Sequence, residues 1–413
     1  MWQRYKNIYH GVSAIFAAVY YGFPGKKLKV IGITGTDGKT TTTHLIHHIL
    51  TSAHKKASMV SSVFAEIAGK QYDTGFHVTS PNEWQVQKFL QESFKAGEEY
   101  MVLEVTSHAL DQHRVDGIDF EIGVLTNITH EHLDYHKTYE NYVSTKVKLL
   151  KRARCAIVNR DDESFRYIDV SKNQKTITYG IKNKSDVMPE TFTFTSPLPG
   201  EYNLYNCLAA IAACQQLGIK DAEIKKALKT FKGVKGRFEY LPTDNNFEVI
   251  IDFAHTPNGI EKVLSTVKPM VRGKLIHVFG SAGLRDRSKR PIMGEKSALF
   301  ADVSVLTEED YRTEHVDQIM DEIAQGCILQ GARELTVGDF EKALVSKNKV
   351  FFRINDRQTA IDFAIQKLAR KNDVLIFTGK AHEKSLCRGT VEYPWSEHEA
   401  IRKALKKNVS PDV

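Results

Sequence analysis

Val30-Ile31-Gly32-Ile33-Thr34 runs directly into Gly35-Thr36-Asp37-Gly38-Lys39-Thr40-Thr41, and a helical pattern follows from Thr42 to Leu50. An apolar strand, a glycine turn, a lysine, a hydroxyl pair and a helix start are the parts that a polyphosphate site needs. Glycines let backbone N–H groups close around phosphate oxygens, and the helix N-terminus adds positive potential. Lys39 would reach the terminal phosphates, and Thr40 would hold Mg²⁺. The residue five before Gly38 is Ile33 rather than glycine, so the spacing departs from the common nucleotide loop. Its place between a strand and a helix outweighs that departure. The stretch reads as a nucleotide loop on an α/β sheet.

Outward from this loop, short apolar runs alternate with helical patterns, the signature of parallel sheets built from βαβ units. The runs are Val30–Thr34, Met101–Val105, Ile122–Thr126 and Ala156–Asn159, with Thr191–Thr195 read as a further β stretch of alternating Thr and Phe. Ser80-Pro81-Asn82-Glu83 reads as a helix start capped by Ser80, and Asn203–Leu217 as a second helix. Gly233, Gly236 and the polar Thr243–Asn246 read as a linker region, after which the pattern restarts. Val249–Asp252, Leu275–Phe279, Val303–Thr307, Val350–Ile354 and Val374–Thr378 predict a second, Rossmann-like sheet. The expected organisation is an N-terminal amphipathic helix and linker (1–29), a P-loop ATPase-like domain with a parallel-rich sheet (30–235) and a Rossmann-like C-terminal domain (236–413).

The 413 residues are 42% hydrophobic and 26% charged, which excludes a disordered, collagen-like or disulfide-scaffold chain. The formal net charge of +7 suits anionic small molecules as well as nucleic acid and decides neither. Cys155, Cys207, Cys214, Cys327 and Cys387 are scattered without a CxxC, so the expected compartment is the reducing cytoplasm. Ile8, Val12, Ile15, Phe16, Val19, Tyr20 and Phe23 recur at helical spacing. That segment is too short and interrupted to span a bilayer and lacks a cleavage site. It predicts a helix packed on the first domain, with a weak membrane-surface contact as the alternative.

The loop from Thr34 to Thr40 resembles the ATP loop of the Mur ligase family, the ATP-dependent amide ligases of peptidoglycan precursor synthesis. Further similar stretches follow in family order. They are Glu104 to Leu110, Thr126 to His136, Asn159 to Asp162, Gly236 to Glu239, Asp252 to Pro257, Arg285 to Pro291, Arg312 to Glu314 and Gly379 to Glu383. Within the family the chain looks most like the ligases that add the third amino acid, diaminopimelate or lysine, to a UDP-muramoyl dipeptide. The resemblance implies that ATP phosphorylates a carboxylate to an acyl phosphate, which an amino-acid amine then attacks. Such chemistry relies on positioning and charge neutralisation.

Gly35, Thr36, Asp37, Gly38, Lys39, Thr40 and Thr41 are the expected ATP loop. Glu104, at a strand end, is expected to bind Mg²⁺ through oxygen. His130, His132 and His136 lack the pattern of a zinc site. The resemblance instead makes His132 a Mg²⁺ ligand, with His130 and His136 shaping the loop. It also implies that Lys146 is carbamylated beside a second Mg²⁺, although its residue pattern alone reads as a solvated helix lysine. Asn206, Arg237, Asp252 and His255 match adenine, ribose and phosphate contacts, and Arg237 reads equally as a structural ion pair. Thr79, Ser80, Thr106, Gln112 and Arg114 match the acceptor carboxylate site. Arg285, Asp310, Arg312, Gly379 and Glu383 match the site of the incoming amine. The diaminopimelate signature Asp-Asn-Pro-Arg is replaced by Glu309-Asp310-Tyr311-Arg312, and a family glycine by Ala381. The string Arg285, Arg287, Lys289, Arg290 lacks interleaved aromatics and reads as an anion loop rather than a nucleic-acid surface.

The family's murein ligases carry an additional N-terminal domain for the UDP-sugar, whereas here the ATP-loop strand begins near Val30. The expectation is that UDP contact is lost, is supplied by a partner chain, or is not needed by the acceptor. Folylpolyglutamate ligases, which lack that domain, are the enzymatic alternative. A non-catalytic nucleotide-binding paralogue is the other.

Overall fold

A computed structural model describes residues 2–73, 81–129, 133–169 and 175–407. It divides into two compact units, Met1–Lys232 and Gly233–Val413.

In the first unit the strands are β1 (Lys29–Thr34), β2 (Ala57–Val60), β3 (Ala65–Ile67), β4 (Lys70–Tyr72), β5 (Tyr100–Glu104), β6 (Phe120–Leu125), β7 (Ala153–Asn159) and β8 (Lys175–Tyr179). They form one sheet in the order β4-β3-β2-β5-β1-β6-β7-β8. Six strands from β2 to β8 run parallel, and β3 and β4 add an antiparallel edge. The helices are α1 (Trp2–Tyr20), α2 (Lys39–Ser52), α3 (Glu83–Lys95), α4 (Ser107–Asp111), α5 (Leu133–His136), α6 (Tyr139–Arg152), α7 (Glu201–Gln216) and α8 (Asp221–Thr230). Ile31 and Ile33 of β1 pack under α2, α7 and α8, whereas Val30 faces the opposite core with α3. With both faces covered, β1 must be apolar throughout, which is why its sequence is a continuous run.

The second unit holds β9 (Glu239–Leu241), β10 (Glu248–Asp252), β11 (Leu275–Phe279), β12 (Val303–Leu306), β13 (Arg333–Glu334), β14 (Val350–Arg353) and β15 (Val374–Thr378). Their order is β13-β14-β12-β11-β15-β10-β9, parallel except for β9. Helices α9 (Pro257–Val267), α10 (Lys289–Phe300) and α11 (Val316–Leu329) follow the strands, and a separate hairpin pairs β16 (Ser385–Arg388) with β17 (Val391–Pro394).

Several expectations need correction. Thr191–Thr195 is not a strand. Phe192 is buried in the core and the Thr191 hydroxyl accepts from the Met188 amide, so the alternation reflects an anchored turn. The strand at the sheet edge is instead β8. Helix α3 is capped by Asn82, whose side chain accepts from Gln85 N at 2.9 Å, because Asn82 directly precedes the first helical residue. Ser80 lies outside the described residues. Thr243–Asn246 is the turn between β9 and β10, and the two units divide between Lys232 and Gly233. Helix α1 does pack on the first unit, but with Ala14, Ala17 and Ala18 inward and its larger apolar residues outward. All five cysteines are free and buried. Among the described residues no helix is long and apolar enough to cross a membrane.

Candidate active site

The phosphate loop leaves β1 at Thr34 and re-enters helical structure at Lys39. Gly38 occupies the N-cap of α2 with φ +81°, and Gly35 has φ +151°. A Cβ at Gly35 would overlap the Thr126 hydroxyl, and one at Gly38 would overlap the Asn206 amide oxygen. Both positions therefore require glycine, on steric as well as backbone grounds. Asn206, on α7, is thereby held against the loop, with its amide bonded to Asn203 at 3.1 Å.

The segment after β6 fastens the loop. Thr36 N donates to Asn127 O at 2.8 Å, and Asp37 N to Asn127 Oδ1 at 2.9 Å. Thr126 Oγ1 donates to Asp37 O at 2.6 Å. The Lys39 ammonium turns back onto Thr36 O at 2.7 Å, so it already lies over the loop whose oxygens it would neutralise. Thr41 is buried one residue beyond Thr40.

Thr40 and Glu104 meet from different elements. Thr40 Oγ1 lies 3.0 Å from Glu104 Oε2, Ser62 Oγ lies 3.0 Å from Thr40 Oγ1, and Ser62 N donates to the same carboxylate at 2.9 Å. Both Thr40 and Glu104 are buried. Two hydroxyls and one carboxylate form an all-oxygen donor set, which fits a hard cation such as Mg²⁺ that completes its shell with water and phosphate oxygens. Among the described residues no group of three or more His, Cys, Asp or Glu is placed to hold a metal.

Lys146 is not a solvated lysine. It is 1% exposed on α6, its Nζ donates to Gly35 O at 2.6 Å, and it sits 4.5 Å from the centre of the Tyr142 ring. Tyr142 OH in turn lies 3.2 Å from Thr36 Oγ1. The His136 ring is tilted against Tyr142 with centroids 5.0 Å apart and bonds Ser107 Oγ at 3.0 Å. A continuous set of contacts thus joins the phosphate loop to the start of α4. There Thr106 caps the helix through Ala109 N, and Gln112 approaches Tyr135 OH at 3.5 Å. Burial, aided by the Asp111 carboxylate, pushes the Tyr135 phenol up to about 12 and keeps it a donor, and it donates to Asp111 at 2.8 Å. Arg114 follows α4 on the same segment. Thr79, Ser80, His130 and His132 lie outside the described residues.

In the second unit the nucleotide candidates gather around Phe253. The Arg237 guanidinium lies 4.4 Å from that ring, and the His255 ring meets it at a tilt with centroids 4.8 Å apart. Asp252 accepts from Phe238 N and Ala254 N, each at 2.7 Å. Its first task is therefore to fasten the turn that carries Arg237. The amine candidates gather around Lys380, which is fully buried and bonds Asp310 at 2.8 Å and Glu383 at 2.5 Å. Burial alone would lower the Lys380 ammonium, but Glu383 and Asp310 outweigh it and hold it above its usual range. Gly379, with φ +99°, passes so close to Glu309 that a Cβ would meet its carboxylate. Arg312 donates to Gly283 O at 2.5 Å and so stands beside the loop that bears the exposed Arg285.

The expected anion string largely dissolves. Arg290 is fully buried between Glu314 and Glu322, Arg287 pairs with Glu322, and Lys289 donates to His255 O at 2.9 Å. Three of its four cations are therefore engaged within the fold, Arg287 and Arg290 by carboxylates distant in sequence and Lys289 by a carbonyl, and Arg285 remains the candidate for a ligand.

Residues 33–214 match the Mur ligase middle domain, and residues 236–381 match the Mur ligase glutamate ligase domain. Over 414 residues the chain is 34% identical to UDP-N-acetylmuramoyl-L-alanyl-D-glutamate--2,6-diaminopimelate ligase 1 of Clostridium acetobutylicum, covering 95% of this chain and 81% of that protein. The chain belongs to the Mur ligase family. A solved UDP-N-acetylmuramoyl-L-alanyl-D-glutamate--2,6-diaminopimelate ligase shares 29% identity and a TM-score of 0.61 over 93% of this chain and 79% of that one. A folylpolyglutamate synthase from Mycobacterium tuberculosis, solved with ADP and AMPPCP, has a TM-score of 0.67 over 94% and 93% of the two chains at 16% identity, a likeness of fold alone.

As a Mur ligase the chain is an ATP-dependent carbon–nitrogen ligase. Sequence reasoning overlooked Ser62 beside Thr40, the Thr126–Asn127 clamp, the Phe253 platform and Lys380. Thr126, Asn127 and Lys380 stand inside motifs that were already legible, so the motif marked the place without the task. Ser62 had no such signal; only the pairing of β2 with β5 brings it to Glu104.

Proposed function

We infer that this Mur ligase joins a carboxylate of a muropeptide precursor to the amino group of an amino acid, with ATP converted to ADP and phosphate. The observation that carries this reading is the convergence of Lys39, Thr40, Glu104 and Lys146 on one loop at the end of β1. The names of the 34–37% identical relatives support the choice of acceptor.

The acceptor carboxylate attacks the γ-phosphorus, ADP leaves, and the amine displaces phosphate from the acyl phosphate. Lys39 and the α2 N-terminus take up charge on the phosphate oxygens. Thr40 and Glu104 would hold Mg²⁺, with His132 assigned as a further ligand by resemblance, and the ion would neutralise charge on the transferring group. Lys146 is proposed to act as a carbamate at a second ion. Its carbamate N–H would retain the bond to Gly35 O, so modification need not cost that contact. Thr79, Ser80, Thr106, Gln112 and Arg114 are assigned to the acceptor. Asn206, Arg237, Asp252 and His255 are assigned to the nucleotide. Arg285 and Arg312 would take the amino acid's carboxylate, while Asp310, Gly379 and Glu383 shape the site of its distal group. Because Lys380 already bonds Asp310 and Glu383, and the signature reads Glu309-Asp310-Tyr311-Arg312, the amine is an amino acid not confined to diaminopimelate.

The test is a matrix of acceptors against amines with Mg-ATP, read as ADP release and product mass. UDP-muramoyl dipeptide should yield product with at least one amine. Product from folates alone would transfer the chain to the folylpolyglutamate reading. No acceptor-dependent ADP with any pair would make it a nucleotide-binding paralogue.

A further inference from the structure

Helix α1 is amphipathic in the reverse of the usual sense. A surface helix buries its large apolar residues and exposes its small or polar ones. Here Ala14, Ala17 and Ala18 are completely buried, whereas Tyr9 is 70% exposed, Phe16 64% and Tyr20 73%, with Val12 and Val19 more than half exposed. These five recur at i, i+3, i+7, i+10 and i+11, so they form one stripe along the helix. Trp84 of α3, 42% exposed, extends it through a ring contact with Tyr20 at 5.8 Å.

The inward face is fixed. A Cβ on Gly117 would collide with Ala18, so the helix lies close against the unit. Asn7 donates to Asp111 at 2.9 Å, His10 approaches Glu83 at 3.3 Å, and Trp84 Nε1 donates to Ser13 at 3.0 Å. Rotating α1 to hide the stripe would break all of these contacts. The outward stripe is therefore a stable feature of the fold, and its area calls for a cover.

Charge selects the cover. Residues 1–29 include Arg4, Lys6, Lys26, Lys27 and Lys29 and no aspartate or glutamate, within a chain whose formal net charge is +7. Lys26, Lys27 and Lys29 are exposed just beyond the end of the helix. Lys26 lies over the Phe23 ring at 4.9 Å and Lys27 over Phe94 at 5.0 Å, an arrangement of apolar body and charged tip that suits a lipid–water boundary. At Ile15 the other flank borders a groove lined by Lys148, Lys151 and Arg152. Arg152 is paired there with Asp116 and Lys148 with Asp111.

We propose that the exposed face of α1, with Lys26, Lys27 and Lys29 at its end, docks the protein on an anionic lipid surface. The helix lies in the plane of the interface, with Tyr9, Val12, Phe16, Val19 and Tyr20 among the acyl boundary and the lysines at the headgroups. This goes beyond the ligase reading and does not depend on it.

The experiment is co-sedimentation of the full chain with vesicles of phosphatidylcholine alone and of equimolar phosphatidylcholine and phosphatidylglycerol. Binding should favour the anionic vesicles and weaken with salt. Phe16→Glu, at an exposed position, should lower partitioning about tenfold or more through the lost apolar burial. Lys26→Gln with Lys27→Gln should lower it by about fivefold for each cation removed. Circular dichroism checks that each variant is folded. Equal partitioning to both vesicle types, no partitioning, or an unchanged Phe16→Glu variant would overturn the proposal. So would a concentration-dependent dimer, dissolved by Phe16→Glu, in a chain that ignores vesicles.

Discussion

The charged groups of the two units are held in different ways. Around the phosphate loop they rest on neutral groups: Lys39 on Thr36 O, Lys146 on Gly35 O, Glu104 on the Thr40 hydroxyl and the Ser62 amide. In the second unit the buried cations rest on carboxylates: Lys380 on Asp310 and Glu383, Arg290 on Glu314 and Glu322. A neutral partner is readily exchanged for a phosphate or a cation, because the carbonyl or hydroxyl can be re-solvated at little cost. A buried charge stripped of its counter-charge cannot be. The contacts around the phosphate loop can thus be traded at lower cost than the buried ion pairs of the second unit.

The largest expected effect breaks the exchangeable side. Lys39→Ala removes a cation that is bonded only to a carbonyl in its own turn among the described residues, so the fold should survive. Acceptor-dependent ADP release should fall on the order of a thousandfold, with the thermal transition nearly unmoved. Lys146→Ala should also disable the enzyme, and short carboxylic acids should restore part of the rate if a carbamate is what has been lost. A large loss of stability in Lys39→Ala would show that the loop needs its lysine as structure, and the contrast between the units would fail.

The same contrast explains what the amino-acid sequence disclosed. Strand β1 was legible because Val30, Ile31 and Ile33 serve two buried faces and must all be apolar. The loop was legible because Gly35 and Gly38 admit no side chain. Constraints that act within one short stretch leave such local marks. Pairing between distant charges does not: nothing near Arg290 announces Glu314 and Glu322, so a structural arginine looked like part of an anion loop. Lys146 was misjudged from pattern alone for the same reason, since Gly35 is far away in sequence and close only in the fold. Helix α1 misled in a third way. Periodicity shows that a helix has an apolar face, but the decision to turn Ala14, Ala17 and Ala18 inward was made by the close approach of Gly117.

An intermediate effect is expected from Lys380→Met, which tests the paired side. It strands the carboxylates of Asp310 and Glu383 in a buried setting and should cost the second unit about 3 kcal/mol. The amine KM should rise about tenfold as Glu383 loses its position, with the ATP KM little changed. Lys380→Arg, which keeps the charge, should recover part of the stability. If Lys380→Met were as stable as the wild type, the ion cluster would not be what shapes the amine loop.

The smallest effect separates the units by pH. His277 of β11 is fully buried, stacked on Phe279 at 4.2 Å, with its ring nitrogens at Ser297 and Thr378 hydroxyls. Burial, reinforced by the Arg357 guanidinium, lowers its pKa from 6.5 to about 3. The unfolded chain therefore binds a proton below about pH 6.5 that the folded second unit refuses until about pH 3. The folded state is favoured fully above that window and loses stability as pH falls through it, by at most about 1.4 kcal/mol per pH unit. Urea unfolding read by a probe in the second unit should show this slope, and His277→Gln, which keeps a neutral hydrogen-bonding side chain, should flatten it. In the first unit burial lowers His47 and His48 in the same direction, while Asp161 is held down at about 2 despite partial burial by the amides of Ile181 and Lys182 and by Tyr205 and Asn183. The Asp161 contribution is present above the ordinary carboxylate range and is lost only as pH falls towards 2, so at about pH 5 the first unit answers through His47 and His48, and the second unit, with the far-shifted His277, should weaken more steeply. A steeper loss in the first unit would reverse that order and place the acid-labile charges on the wrong side of the comparison.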